Sequence, residues 1–228
     1  MAKRLINQTY VLTVEGECEK YYFEHLKMLI NNASNRIANC QFKPDIAIKK
    51  TPSKYSKNFV GVKNRFFHIQ DIEDYFDEFH RKNFLSLIED VQAANKYVNY
   101  KLGYTNYSFE LWMLLHKRDM SFSISDRSKY LSYINKSYNT KYKHLDEYKE
   151  ENNFKYVLSK ITLNDVIEAV NRAKCIRECN ENRTCCAQNQ KKIDYCKYSF
   201  YRANPDLDIH EVVEIILVEC LGKNYVIK

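Results

Sequence analysis

Carboxylates stand at three places where a strand should end or a helix should begin. Val14-Glu15-Gly16-Glu17 follows the apolar run Tyr10-Val11-Leu12-Thr13, and Asp71-Ile72-Glu73-Asp74 follows Phe66-Phe67-His68-Ile69. Glu110 opens the apolar segment Phe109-Glu110-Leu111-Trp112. Carboxylates at the C-terminal ends of parallel strands face one crevice. Several in one crevice repel each other unless a hard cation bridges them, and Mg²⁺, or Mn²⁺ in its place, suits such oxygen ligands. Lys and Arg exceed Asp and Glu by 7, which is compatible with a phosphate-bearing partner. Together these features suggest metal-dependent phosphodiester chemistry.

Glu15 leaves a strand just before Gly16, where a small residue lets the backbone turn tightly. Glu17 and Glu19 then fall in the first helical turn, a place that the helix dipole alone makes favourable for acids. Asp71 and Glu73 are two apart, so on an extended segment both point the same way and can reach one cation. Asp74 is placed as the N-cap of the next helix. Glu110 among apolar neighbours needs a partner, either a basic side chain or the metal site. His116 ends the same segment; a histidine there is either a structural, dipole-stabilised residue or an auxiliary to the site. Lys49, Lys50, Lys54 and Lys57 crowd one stretch and would hold phosphates, although solvated basic stretches with no such role are common.

These residues need elements to position them. Strands are expected over 8–14, 45–49, 65–70 and 96–102, and helices over 17–31, 74–94 and 109–116. Phe76, Phe79, Phe84, Leu87, Ile88 and Val91 form the expected apolar stripe of the second helix. Further helices are expected over 128–137, from the capped start Thr162-Leu163-Asn164-Asp165, and after Asn204-Pro205-Asp206, where Ile209, Val212, Val213, Ile216, Leu217 and Cys220 share one face. The alternation predicts an α/β core over 1–120, a small parallel sheet flanked by helices, followed by a helical region over 121–228 packed on it.

The 228 residues include 45% hydrophobic residues but only 4 Gly and 3 Pro, which excludes a low-complexity chain. The 19 Tyr are read mainly as amphipathic residues at the edge of the core. No run approaches the roughly 20 apolar residues of a membrane span, and no signal-peptide core precedes Glu15. A cytoplasmic protein with 8 reduced cysteines is therefore expected. Cys175, Cys179, Cys185, Cys186 and Cys196 contain no C-x-x-C pair, which argues against zinc. There is no P-loop for ATP.

The stretch from Thr9 to Glu17, with Glu19 and Tyr22-Phe23, resembles the opening of RloB-like proteins. Thr105-Asn106-Tyr107-Ser108-Phe109-Glu110-Leu111-Trp112, through His116, is similar to their second signature, with Thr105 and Tyr107 in place of Ser and Pro. Ala169-Val170-Asn171-Arg172-Ala173-Lys174 and Asn204-Pro205 agree as well. The resemblance implies a Toprim-like fold and a Mg²⁺-dependent nuclease of phage defence, with Glu15, Asp71 and Glu73 at the metal and Glu110 beside them. Glu73 stands where the family usually has Asp. The resemblance also implies an ABC-type ATPase encoded alongside as partner, besides DNA or RNA; a second copy of the chain is a further candidate partner. A non-cleaving binding module on the same scaffold is the alternative.

Overall fold

The structure is a computed structural model and describes residues 5–223, apart from 50, 60, 62–63, 125 and 183–189. The chain begins with β1 (Ile6–Val14), which leads through Glu15 and Gly16 into α1 (Glu17–Asn32). Next come β2 (Ala38–Phe42), the two-residue β3 (Ala47–Ile48), α2 (Pro52–Ser56) and a 3₁₀ turn over Lys57–Phe59. β4 (Arg65–Asp71), α3 (Glu78–Ala94), β5 (Tyr100–Asn106) and α4 (Phe109–Leu115) complete the first half. The second half holds α5 (Lys129–Tyr138), α6 (Leu145–Lys149), α7 (Glu151–Leu158) and α8 (Leu163–Asn182). It ends with a hairpin of β6 (Lys192–Tyr195) and β7 (Tyr198–Tyr201), then β8 (Asp206–Leu207) and α9 (Ile209–Leu221).

The main sheet runs β2-β1-β4-β5-β8, with β3 also paired to β1. Strands β1 to β5 are parallel; β8 joins β5 antiparallel. This is the expected α/β architecture, a largely parallel sheet flanked by helices and followed by a helical part.

Both faces of the sheet are covered, and the period of two decides which residue serves which face. Tyr10, Leu12 and Val14 of β1, with Phe67 and Ile69 of β4, pack among α1, α4, α8 and α9. Val11, Phe66, Leu102 and Tyr104 point the other way, onto Phe84, Ile88 and Val91 of α3. The close seating of α9 depends on Gly103. A Cβ there would come within 2.9 Å of Ile69 Cδ1, 3.0 Å of Val212 Cγ2 and 3.1 Å of the Ile209 Cα. Tyr10, Tyr22, Tyr100, Tyr104, Tyr130 and Tyr148 are fully buried, so many of the tyrosines serve the core.

Several expected boundaries move. The second strand expected over 45–49 shrinks to β3, and the longer β2 lies before it. Its sequence Ala-Asn-Cys-Gln-Phe buries alternate positions on an edge strand and carries polar residues between them. The strand expected over 96–102 is shifted to Tyr100–Asn106. Asn95 ends α3 by donating to the Val91 carbonyl and then accepts from Tyr100 N–H (2.8 Å), so the intervening residues form the connection. Helix α3 starts four residues later than expected, because Asp77 rather than Asp74 is its N-cap and accepts from His80 N–H (3.0 Å). Asp74 instead stabilises the preceding turn by accepting from Phe76 N–H (2.9 Å). Phe76 consequently falls before the helix, Phe79 falls on the side of α3 away from its buried stripe, and both rings stand in solvent.

Candidate metal and phosphate site

Glu15 prolongs the pairing of β1 with β4 by one residue. Its N–H donates to the Ile69 carbonyl (3.1 Å), and its Oε2 accepts from Asp71 N–H (3.1 Å). Gly16 is the extended N-cap of α1, and its N–H donates to Glu19 Oε2 (3.1 Å). A Cβ at position 16 would stand 3.1 Å from that oxygen. The small residue thus lets the first turn of α1 fold Glu19 back toward the strand end, where it is buried.

Asp71 is buried at the end of β4 with both oxygens engaged. Thr105 Oγ1 of β5 donates to Oδ1, and Phe109 N–H, at the start of α4, donates to Oδ2 (3.0 Å). Glu110 is only 2% exposed and has found a basic partner, Lys149 Nζ at 3.2 Å from Oε1, while Ser108 Oγ donates to Oε2. Ile72 continues the strand by donating to the Thr105 carbonyl (2.9 Å). Glu73 then breaks it with φ 58°, a left-handed conformation that costs a non-glycine residue about 1–2 kcal/mol. The expectation that Asp71 and Glu73 point the same way fails for this reason. The Glu73 carboxylate turns to His80 and to Arg127 (3.6 Å).

The electrostatics separate these acids into two groups. Burial, reinforced by Glu15 and Glu110, pushes the Glu19 carboxyl up to about 7 against the opposing backbone hydrogen bond. Burial first, then Glu19 and Glu15, hold Asp71 well above the usual carboxylate range. Burial works the same way on Glu110, but Lys149, Ser108 and Arg127 outweigh it and hold that carboxyl low. Burial works most strongly on Arg127 and Lys149 and against their charge, but nearby acids, Glu110 foremost, outweigh it and raise both. Sequence reasoning missed both cations. Its one usable signal was that Glu110 had to have a partner.

Glu15, Asp71 and Glu73 line a cleft of about 630 Å³ together with Thr51, Phe79 and His80. A smaller adjoining cleft, about 330 Å³, is lined by Glu15, Glu19, Asp71, Glu73, Arg127 and Lys149. The other expected site residues lie apart. His116 sits in the core, where its Nδ1–H donates to the Trp112 carbonyl (2.9 Å) and Nε2 accepts from Tyr22 OH (3.2 Å). Burial lowers it to about 4, so it stays neutral. Lys49, Lys54 and Lys57 are exposed on the segment flanking Thr51, and Lys50 lies outside the described residues. Ser53 anchors this segment by donating its N–H (2.8 Å) and its hydroxyl to Asp90.

Glu15, Glu19 and Asp71 are hard oxygen donors whose charges are crowded and partly desolvated, and a divalent cation relieves that condition. The donor set therefore fits Mg²⁺ or Mn²⁺. Among the described residues, the group of three whose ligand atoms already lie within 4.8 Å of one another is a different one, Asp208, His210 and Glu211. Lys101 already pairs with Glu211 there. Cys175 and Cys196 are exposed thiols, whereas Cys179 is disulfide-bonded, which corrects the expectation of reduced cysteines at that position. Cys185 and Cys186 lie outside the described residues.

A parallel sheet with acids clustered beyond the C-terminal ends of two adjacent strands defines an α/β protein with a crevice site. A family model described as RloB-like protein matches residues 10–216, from β1 into α9, and the chain belongs to that family. No curated protein and no solved structure matches it. No helix among the described residues is long and apolar enough to cross a membrane.

Proposed function

We propose that this chain is a metal-dependent nuclease that hydrolyses phosphodiester bonds of DNA or RNA in defence against phage. The observation that supports it most is the convergence of Glu15, Glu19 and Asp71 at the ends of β1 and β4, with the protons of Glu19 and Asp71 held unusually tightly. Glu15 and Asp71, with Glu19 beside them, would hold Mg²⁺ or Mn²⁺; Glu73 joins only by giving up its pairs with His80 and Arg127. The bound ion would polarise a phosphoryl oxygen and activate water. Thr105 and the Phe109 N–H orient Asp71. Ser108 and Lys149 fix Glu110. Arg127 and Lys149 place positive charge on the cleft wall, where the negative charge of the phosphate collects. The exposed Lys49, Lys54 and Lys57 contact the backbone farther out.

The test is incubation of the purified chain with Mg²⁺ or Mn²⁺ and a panel of DNA and tRNA substrates, beside Glu15→Ala. Glu15→Ala should lower cleavage at least about 100-fold, the scale of removing a group that stabilises the transition state, with an unchanged circular dichroism spectrum. Undiminished cleavage by that variant removes the assignment. A second reading, a non-cleaving regulatory module, is favoured by the engagement of Glu73 with His80 and Arg127. It requires that the chain bind neither Mg²⁺ nor Mn²⁺ in calorimetry. An ATPase partner and a cytoplasmic location accompany the nuclease reading as proposals, and co-purification from cells checks the first.

A further inference from the structure

Two phenylalanine rings stand in water at the start of α3, and one of them, Phe79, borders the carboxylate cleft. Phe76 is 58% exposed and Phe79 is 68% exposed. Phe79 lines the cleft with Glu15, Asp71 and Glu73. The rings are not spare members of the core stripe. Phe84, Leu87, Ile88 and Val91 occupy the buried side of α3, and by helical periodicity position 79 falls on the other side. The turn that carries them is fixed: Asp74 holds Phe76 N–H (2.9 Å) and Asp77 caps α3. The Arg202 guanidinium lies over the Phe76 ring at 5.1 Å, extending the aromatic surface with a planar cation.

We propose that Phe76 and Phe79 are a stacking platform for unpaired bases, so that the occupant of the cleft is single-stranded nucleic acid. The proposal rests on the nuclease reading above and narrows its substrate. Every base has a π-face, so an exposed ring binds single strands with little regard to sequence. In a duplex those faces are stacked on one another and are withheld unless a base is extruded. Thr51 also lines the cleft and lies in sequence between the exposed Lys49 and Lys54, which suits a backbone running past the cleft while its bases meet the rings. A protein partner would seek a flatter patch. Phe79 instead looks into the concavity that holds the acids, so whatever stacks on it is delivered to them.

The test is fluorescence anisotropy of the full chain in EDTA, with labelled single strands of about 12 nucleotides, within the site sizes of single-strand binders, and with the matching duplexes. Single strands should bind at least about tenfold more tightly than duplex. Phe79→Ala should weaken single-strand binding about tenfold, in line with the loss of one base–aromatic stack, and leave duplex binding unchanged; Phe79→Trp should restore it. Equal binding of single strand and duplex overturns the proposal. So does a Phe79→Ala protein with undiminished single-strand affinity, including one whose self-association alone changes. Because no cleavage occurs in EDTA, failure here leaves the nuclease reading to its own test. Conversely, loss of the nuclease reading does not account for binding that depends on Phe79.

Discussion

Glu19 is the residue in which the cost of the site is most visible. Its carboxyl is pushed from an ordinary 4.5 to about 7 because ionisation would leave a buried charge beside Glu15 and Glu110. A raised folded-state value means that the folded chain holds the proton more tightly than the unfolded one. That stabilisation is complete below about pH 4.5 and is lost as pH climbs through about 7. Glu19→Gln should therefore make the metal-free protein more stable at pH 8, by about 1–3 kcal/mol on the scale of the linkage relation, with little change at pH 4. Urea denaturation at the two pH values checks this; a variant less stable than the parent at pH 8 contradicts it. Glu15 and Asp71 were legible in the sequence because each ends an apolar run. The partners of Glu110 were not. Ser108 is a neighbour that only helix geometry aims, and Lys149 arrives from α6 through folding. A buried acid announces that it needs a cation, but its own sequence does not say which cation.

At the scale of elements, the strands and helices with strong periodicity lay close to where their patterns put them: β1, α1, β4, α4 and α9. The misplaced ones are instructive. β5 carries Gly103 and Asn106, which are depleted in strands, beside Thr105. Each is there because a neighbour demands it. Thr105 donates to Asp71, Asn106 Nδ2 donates to the Tyr201 carbonyl (2.9 Å), and Gly103 makes room for α9. Gly103→Ala should destabilise by about 1–3 kcal/mol, the usual cost of overpacking. Ile69 and Val212 can yield by rotation, but the Ile209 Cα belongs to the backbone. Shaving Val212 to Ala in the same chain should recover only part of the loss, and chemical denaturation of the single and double variants reads both effects. Full recovery would mean that the helix backbone is not the obstacle.

For the whole molecule, acid is the revealing perturbation. His68, His116 and His210 are buried and each is lowered to about 4 by burial. A lowered folded-state value makes the contribution complete above the ordinary 6.5 and lost as pH falls through about 4. The contribution of these three groups should therefore fall away between about pH 6 and pH 4 as they are driven to take up protons, against the opposite trend of Glu19 and Asp71. His116→Gln should show a shallower pH dependence over that range, whatever its stability at pH 7. An identical slope would place the acid sensitivity elsewhere.

The seating of α9 also has a consequence for how the protein is made. Residues 206–221 supply the antiparallel edge strand and the helix that covers the sheet, and Glu219 is bonded to both Tyr10 (3.0 Å) and Arg65. Strand β1 thus shares its cover with a segment made much later, Tyr10 and Glu219 being 209 residues apart. Until Ile209–Leu221 have been made, one apolar face of the growing sheet has no α9 to lie against. The pairings of β1 with β4 and of β5 with β8 join residues distant in sequence, which slows closure and prolongs exposure of sticky intermediates. A ribosome that stalls before residue 206 would therefore hold out a chain with an open sheet edge, a natural client for chaperones and proteases.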